Sequence, residues 1–183
     1  MKDLFDRLIA ETLRLGADHA SVIDAVQIET DRSFRDACLA NACGMVGKCW
    51  MCPPDVGAID ELMAEIRRYD HALVYQRIGQ LEDSFDVEGM EDAKMAHRAI
   101  SFALRPLFGE LDITRTLHLG AGGCGVCKPC AKVKGEPCVH PELAMASLEA
   151  YGVNVSRMAQ AAGMKYINGA NTVTYFGAVL FSL

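Results

Sequence analysis

Eight cysteines in this 183-residue chain fall into two sets of four, and any fold the chain adopts has to place them. The second set, Cys124, Cys127, Cys130 and Cys138, runs C-x2-C-x2-C-x7-C. Thiols at every third residue let a looped backbone aim three sulfurs inward while a fourth arrives from further along, which is the ligand pattern of an iron–sulfur cage. The first set, Cys38, Cys43, Cys49 and Cys52, is looser at C-x4-C-x5-C-x2-C but still local. Each set is spaced as the ligands of one [4Fe–4S] cluster. The partition between them stays open, because Cys52 precedes Pro53 and in ferredoxin loops the cysteine before proline ligates the other cluster of a pair.

Three rival uses of the thiols are weighed against this. Disulfides belong to oxidising compartments, and the charged start Met1-Lys2-Asp3-Leu4-Phe5-Asp6 has no apolar run of a secretory signal, so a cytoplasmic, reducing setting is expected. Zinc is the nearest competitor, since four thiolates suit a tetrahedral ion, but structural zinc takes two separated C-x2-4-C knuckles and the second set does not. The pair Cys49-Trp-Met-Cys52 resembles a redox C-x-x-C, yet Pro53-Pro54 separates it from any helix whose N-terminus would activate it. Gly120-Ala-Gly-Gly-Cys-Gly125 matches a dinucleotide fingerprint but runs into cysteines and Pro129 instead of a helix. Its glycines are better used in bringing backbone N–H groups close to sulfur, with Trp50, Met51 and Val126 shielding the thiols. His140 reads as a cap or a support for a ligand, and His97 as a core residue on an apolar helical stripe.

Charge narrows the partners. A net charge of −6 opposes nucleic-acid binding, which needs a cationic surface. Two thiolate-held clusters would take it to about −10. Arg32, Arg35 and Lys48 beside the first set, and Lys128, Lys132 and Lys134 within or beside the second, are the cations available to offset them. No apolar run is long enough for a membrane span.

Periodicity predicts helices over Asp3 to Leu15, Val56 to Tyr69 with Asp55 as its cap, Gly89 to Leu104 ended by Pro106, Pro141 to Gly152, and Ser156 to Ala162. Strands are predicted over Ala20 to Ile28, Ala72 to Ile78, Arg115 to Leu119 and Thr172 to Phe181. The order implies an α/β chain of the α+β kind: one domain over residues 1–183, a mixed, largely antiparallel sheet with packed helices, and two cysteine loops at about 36–54 and 120–140. Both loops are expected to leave strand ends and could meet at one sheet edge. No nucleophile–base constellation stands out, so catalytic residues are not assigned.

The segments Cys38–Cys43, Gly47–Pro54, Gly123–Cys130 and Pro137–Pro141, with Ser147–Gly152 and Asn168–Tyr175, resemble a prokaryotic cysteine-rich family of unknown function whose members are described as predicted metal-binding proteins. The resemblance covers most of the chain. It implies metal binding by the eight cysteines, and the family's frequency in anaerobes favours oxygen-sensitive clusters. The expectation is therefore an intracellular protein holding two [4Fe–4S] clusters and exchanging electrons with a redox partner protein. The alternatives are an enzyme using a cluster or an adjacent pocket on a small substrate, and a zinc-binding interaction module.

Overall fold

The structure is a computed structural model and describes residues 1–183 except Ala42, which lies in the first cysteine loop, and Asp112 and Thr114. Its helices are α1 (Lys2–Arg14), α2 (Arg32–Leu39), α3 (Ile59–Ile66), α4 (Val87–Glu110) and α5 (Val155–Ala161). Its strands are β1 (His19–Asp24), β2 (His71–Gln80), β3 (Thr116–Gly120), β4 (Ala146–Ser147) and β5 (Thr172–Phe181). They form one sheet in the order β1-β2-β5-β3-β4, antiparallel throughout except for the parallel β3–β4 pair. The expected α+β class with a mixed, mostly antiparallel sheet is what the chain adopts. Among the described residues no helix is long and apolar enough to cross a membrane.

Alternation along β2 and β5 splits the core in two. Leu73 and Tyr75 of β2 and Val179 and Phe181 of β5 face α1 and α4, meeting Leu8, Leu104 and Phe108. Ala72 and Val74, with Phe176, Ala178 and Leu180, face the other way, toward Ile66 of α3, Leu148 and Met158 of α5. One pair breaks the strand rules. Tyr75 sits opposite Gly177 across the β2–β5 ladder, and a Cβ on Gly177 would fall 2.3 Å from the phenol ring and hydroxyl. The glycine thus lets the Tyr75 ring lie across β5 and reach β3 on its far side.

Several expectations are corrected. The first strand stops at Asp24, and α2 intervenes before the first cysteine loop, capped by the Asp31 carboxylate accepting from the Ser33 N–H at 2.8 Å. That loop therefore leaves a helix, with Cys38 in its last turn, and only the second loop leaves a strand. Asp55 caps nothing: α3 begins at Ile59 after Ala58, and Asp55 pairs with Lys132. Pro106 lies inside α4. An interior proline costs about 3 kcal/mol, but Leu107 and Phe108 beyond it are buried, each contributing about 1.5–3 kcal/mol, so continuing the helix wins.

The helix expected from Pro141 to Gly152 is absent; β4 and a 3-10 turn over Glu149–Tyr151 stand in its place. Met145, Ala146, Leu148 and Ala150 are all buried, which a single helical stripe cannot achieve. The edge of β3 offers this segment hydrogen bonds, continued by the Leu148 N–H to Gly120 O at 3.0 Å. Ser147 and Glu149 are thereby carried to the first cysteine loop.

Candidate metal centre

Two loops meet at the β3–β4 end of the sheet. The first is anchored by the buried Arg35 of α2, which donates to Ala150 O at 3.2 Å and Gly57 O at 2.9 Å. The second is held down by Arg98 of α4, donating to Gly123 O at 3.3 Å. Gly125 sits under that guanidinium with φ +65°, where a Cβ would fall 2.2 Å from the Arg98 Cζ, so both its backbone and its surroundings demand glycine. Between the loops, Trp50 Nε1 donates to Glu136 O at 2.9 Å, Lys132 pairs with Asp55, and the Lys132 ammonium lies 4.2 Å from the Trp50 ring centroid.

All eight cysteines are free thiols, and they border two adjoining cavities. Cys38, Cys43 and Cys52 line the first, of about 270 Å³, together with Ser147, Glu149 and the Gly122–Gly123 backbone. Cys49, Cys124, Cys127, Cys130 and Cys138 line the second with His140; it is a cleft of only about 20 Å³. Cys49, although close in sequence to the first set, lies within hydrogen-bonding reach of both Cys52 and Cys124 and joins the two groups. Among the described residues no three His, Cys, Asp or Glu side chains stand together as a ready site for one ion.

Most of the acids that shift in this region shift upward. The contact with Cys49, reinforced by burial, holds the Cys124 thiol well above the ordinary range. Burial and then Glu149 raise Cys38, and burial raises Cys127 with help from Cys130, Cys138 and Cys124. Only Cys52 is lowered, by its bond with Cys49. Glu149 is itself pushed up by burial, against hydrogen bonds from its own N–H and from Ser147. The flanking cations expected to offset the thiols are mostly turned elsewhere. Arg32 pairs with Asp60 at 2.7 Å, Arg35 and Lys132 are spent as above, and Lys48, Lys128 and Lys134 are exposed.

A half-buried group of acids that raise one another is stabilised by a cation placed among them. The donors are soft thiolates, which suit zinc, copper(I) or iron–sulfur cages rather than calcium or magnesium. Glu149 carried no sequence signal, because the helix expected there hid its position. His140 is exposed, caps the following turn through its carbonyl, which accepts from the Leu143 and Ala144 N–H groups, and borders the second cleft. His97 is a core residue on α4, 2% exposed and stacked on Tyr75.

Comparison with known proteins bears on the same region. Neither a curated protein nor a solved structure matches this chain. Residues 21–181, which include every cysteine, match the family described as predicted metal-binding protein (DUF2284), and the chain belongs to that family.

Proposed function

We propose that this protein binds two [4Fe–4S] clusters and exchanges electrons with a partner protein in a reducing compartment. The observation that carries the reading is the convergence of eight free thiols from two distant loops on adjoining cavities that hold more acid than base. Clusters, once bound, supply one-electron redox chemistry, and the chain's residues do the rest. Cys124, Cys127, Cys130 and Cys138 would hold one, and Cys38, Cys43 and Cys52 with Cys49 the other. Glu149 is the carboxylate on the first cavity and the alternative fourth donor there. Cys49 touches both sets, so it is where ligation can be exchanged and where the two centres come nearest.

The second cleft is too small as it stands, so loading it requires the loop to open. Opening it means releasing the hold of Arg98 on Gly123 and Gly125. Peptide N–H groups of that loop would tune the potential through hydrogen bonds to sulfur. Exposed Val133 and Val139, with Lys128 and Lys134, give the same loop an apolar, basic outer surface suited to an acidic redox partner.

A second reading has an observation of its own. Cys49 contacts both Cys52 and Cys124, and one zinc ion with Zn–S distances of about 2.3 Å would draw the three thiols together. Anaerobic purification followed by iron, acid-labile sulfide and zinc analysis separates the two. The cluster reading expects brown protein, bleached by dithionite, with iron and sulfide in equal amounts and about half of each lost in Cys127→Ser or Cys130→Ser. Unchanged iron and sulfide in both variants, or colourless protein with stoichiometric zinc, would refute it.

A further inference from the structure

On the far side of Met51 from the thiols lies a cavity of about 330 Å³ that the metal centre does not use. This is the small end of the range for ligand clefts, roughly 300–1,000 Å³. It runs along an open strand edge, because β4 pairs with β3 only at Leu119 and Gly120 while the cavity is bordered by Thr116, Leu117 and His118.

Thr116, Glu142 and Tyr151 border it, and so do the two polar side chains that matter here, Arg105 and His118. Arg105 of α4 donates to the carbonyl oxygens of Glu142 at 2.5 Å and Leu143 at 2.7 Å, while its Nε has no partner. Its direct hydrogen bonds thus go to neutral carbonyls, with the Glu142 carboxylate acting on it only through its field, and a half-buried guanidinium without a bidentate carboxylate partner can receive an anionic oxygen. His118 brings no charge: burial, and then the Arg105 cation, push it down to about 3.

The protonation of His118 follows from a hydrogen-bonded row. Ser101 Oγ donates to His97 O at 3.0 Å and thereby uses its single proton. Tyr75, 2.7 Å from Ser101 Oγ, must then donate to it, and His118 Nε2, 2.7 Å from the same phenol, must donate to Tyr75. The Nδ1 of His118 is left with a free lone pair, able to accept from a ligand. The row crosses β5 only because Gly177 leaves room for the Tyr75 ring. Met51, Phe108 and Val179 supply apolar wall.

We propose that this cavity binds a small hydroxycarboxylate, its carboxylate on Arg105, its hydroxyl donating to His118 Nδ1, and its body against Met51, Phe108 and Val179. The inference does not rest on the thiols holding iron, so it can be tested on protein of any measured metal content.

Calorimetry on anaerobically purified full-length protein would compare mandelate with phenylacetate, which lacks the hydroxyl, with mandelamide, which lacks the charge, and with inorganic phosphate. Hydrogen bonds involving a charged group contribute more than neutral ones. Mandelate should therefore bind roughly tenfold or more tighter than mandelamide and several-fold tighter than phenylacetate. Arg105→Gln should abolish the first preference and His118→Phe the second. Should either variant fail to fold, ¹⁵N shifts of the Arg105 Nε and the His118 ring in the wild type must move on mandelate addition. Equal binding of mandelate and mandelamide, tighter binding of phosphate, no binding at millimolar mandelate, or unmoved ¹⁵N signals would each overturn the proposal.

Discussion

Mild acid should loosen this fold through His97. The residue is 2% exposed, stacked on Tyr75 with ring centroids 5.4 Å apart, and its Nε2 has no partner. Burial first, and the Arg98 charge second, push it down to about 4 from 6.5, against a hydrogen bond to the Phe176 backbone. The unfolded chain therefore binds a proton at this site between pH 6.5 and about 4 while the folded chain does not. Stability is whole above pH 6.5, falls as the pH drops toward 4, and loses nothing further from this group below that. At 1.36 kcal/mol per unit the loss is about 3 kcal/mol, a large fraction of the roughly 5–15 kcal/mol that holds a domain folded.

Urea unfolding of reduced, metal-free protein, followed by circular dichroism at several pH values from 7 to 4, measures it. His97→Leu is the control. Losing the stack and the Phe176 hydrogen bond shifts its stability by an amount that does not depend on pH, whereas its slope between pH 6.5 and 4 should be smaller than that of the wild type by roughly 1.4 kcal/mol per pH unit. His118, which is pushed down to about 3, carboxylates such as Asp86 and Glu91, which are held low by their partners, and Glu149, which is held high, titrate in both proteins and cancel in the difference. The reasoning is refuted if wild type and His97→Leu lose stability in parallel between pH 6.5 and 4.5.

Other consequences concern single positions. Gly125→Ala should cost about 1–2 kcal/mol for its left-handed backbone and displace Arg98, so the loop carrying Cys124 to Cys130 should react faster with a thiol reagent; unchanged alkylation rates would count against the clamp. Gly177→Ala should drive the Tyr75 ring off β5 and cost about 1–3 kcal/mol by overpacking, which a lowered urea midpoint and altered near-ultraviolet dichroism would report. Gln76 is fully buried with both amide atoms unpaired, so Gln76→Leu should raise stability by about 1–3 kcal/mol. A destabilised variant would mean that the amide has a partner in solution.

The elements most visible in the sequence were those whose burial pattern is local. The β-branched and aromatic run Thr172–Phe181 becomes β5 residue for residue, and the Phe5, Ile9, Leu13 spacing gives α1. Misreadings arose where a distant partner decided the outcome. Pro106 looks like a stop from sequence because nothing there shows that Leu107 and Phe108 are buried in the core. Residues 141–152 were read as a helix because the open edge of β3 that recruits Ala146 and Ser147 lies more than 25 residues upstream. The eight thiols could be named from spacing alone, but the position of Cys49 between the sets could not, since it depends on how β3 delivers Cys124. Arg105, His118, Tyr75 and Ser101 come from α4, β3 and β2 and carry no shared local signal. The one clue was a glycine inside a strand otherwise made of β-formers, Gly177, which marks where another group lies against the backbone.

Arg105 links the cavity to the thiols. Its guanidinium lies close enough to feel the charge of a Cys124 thiolate, and it also faces the space where a carboxylate would sit. A ligand that draws this charge to itself leaves Cys124 with less support for its thiolate form. Linkage makes the effect reciprocal: whatever fixes Cys124 as thiolate must change the affinity of the cavity for an anion by the same factor. A metal held by Cys124 adds positive charge of its own, whereas a bare thiolate adds negative charge, so the direction of the change reports which of the two dominates at Arg105. Measuring mandelate affinity before and after anaerobic loading with iron and sulfide gives that factor directly. Identical affinities in the two states would show that the Arg105 charge does not couple the two sites.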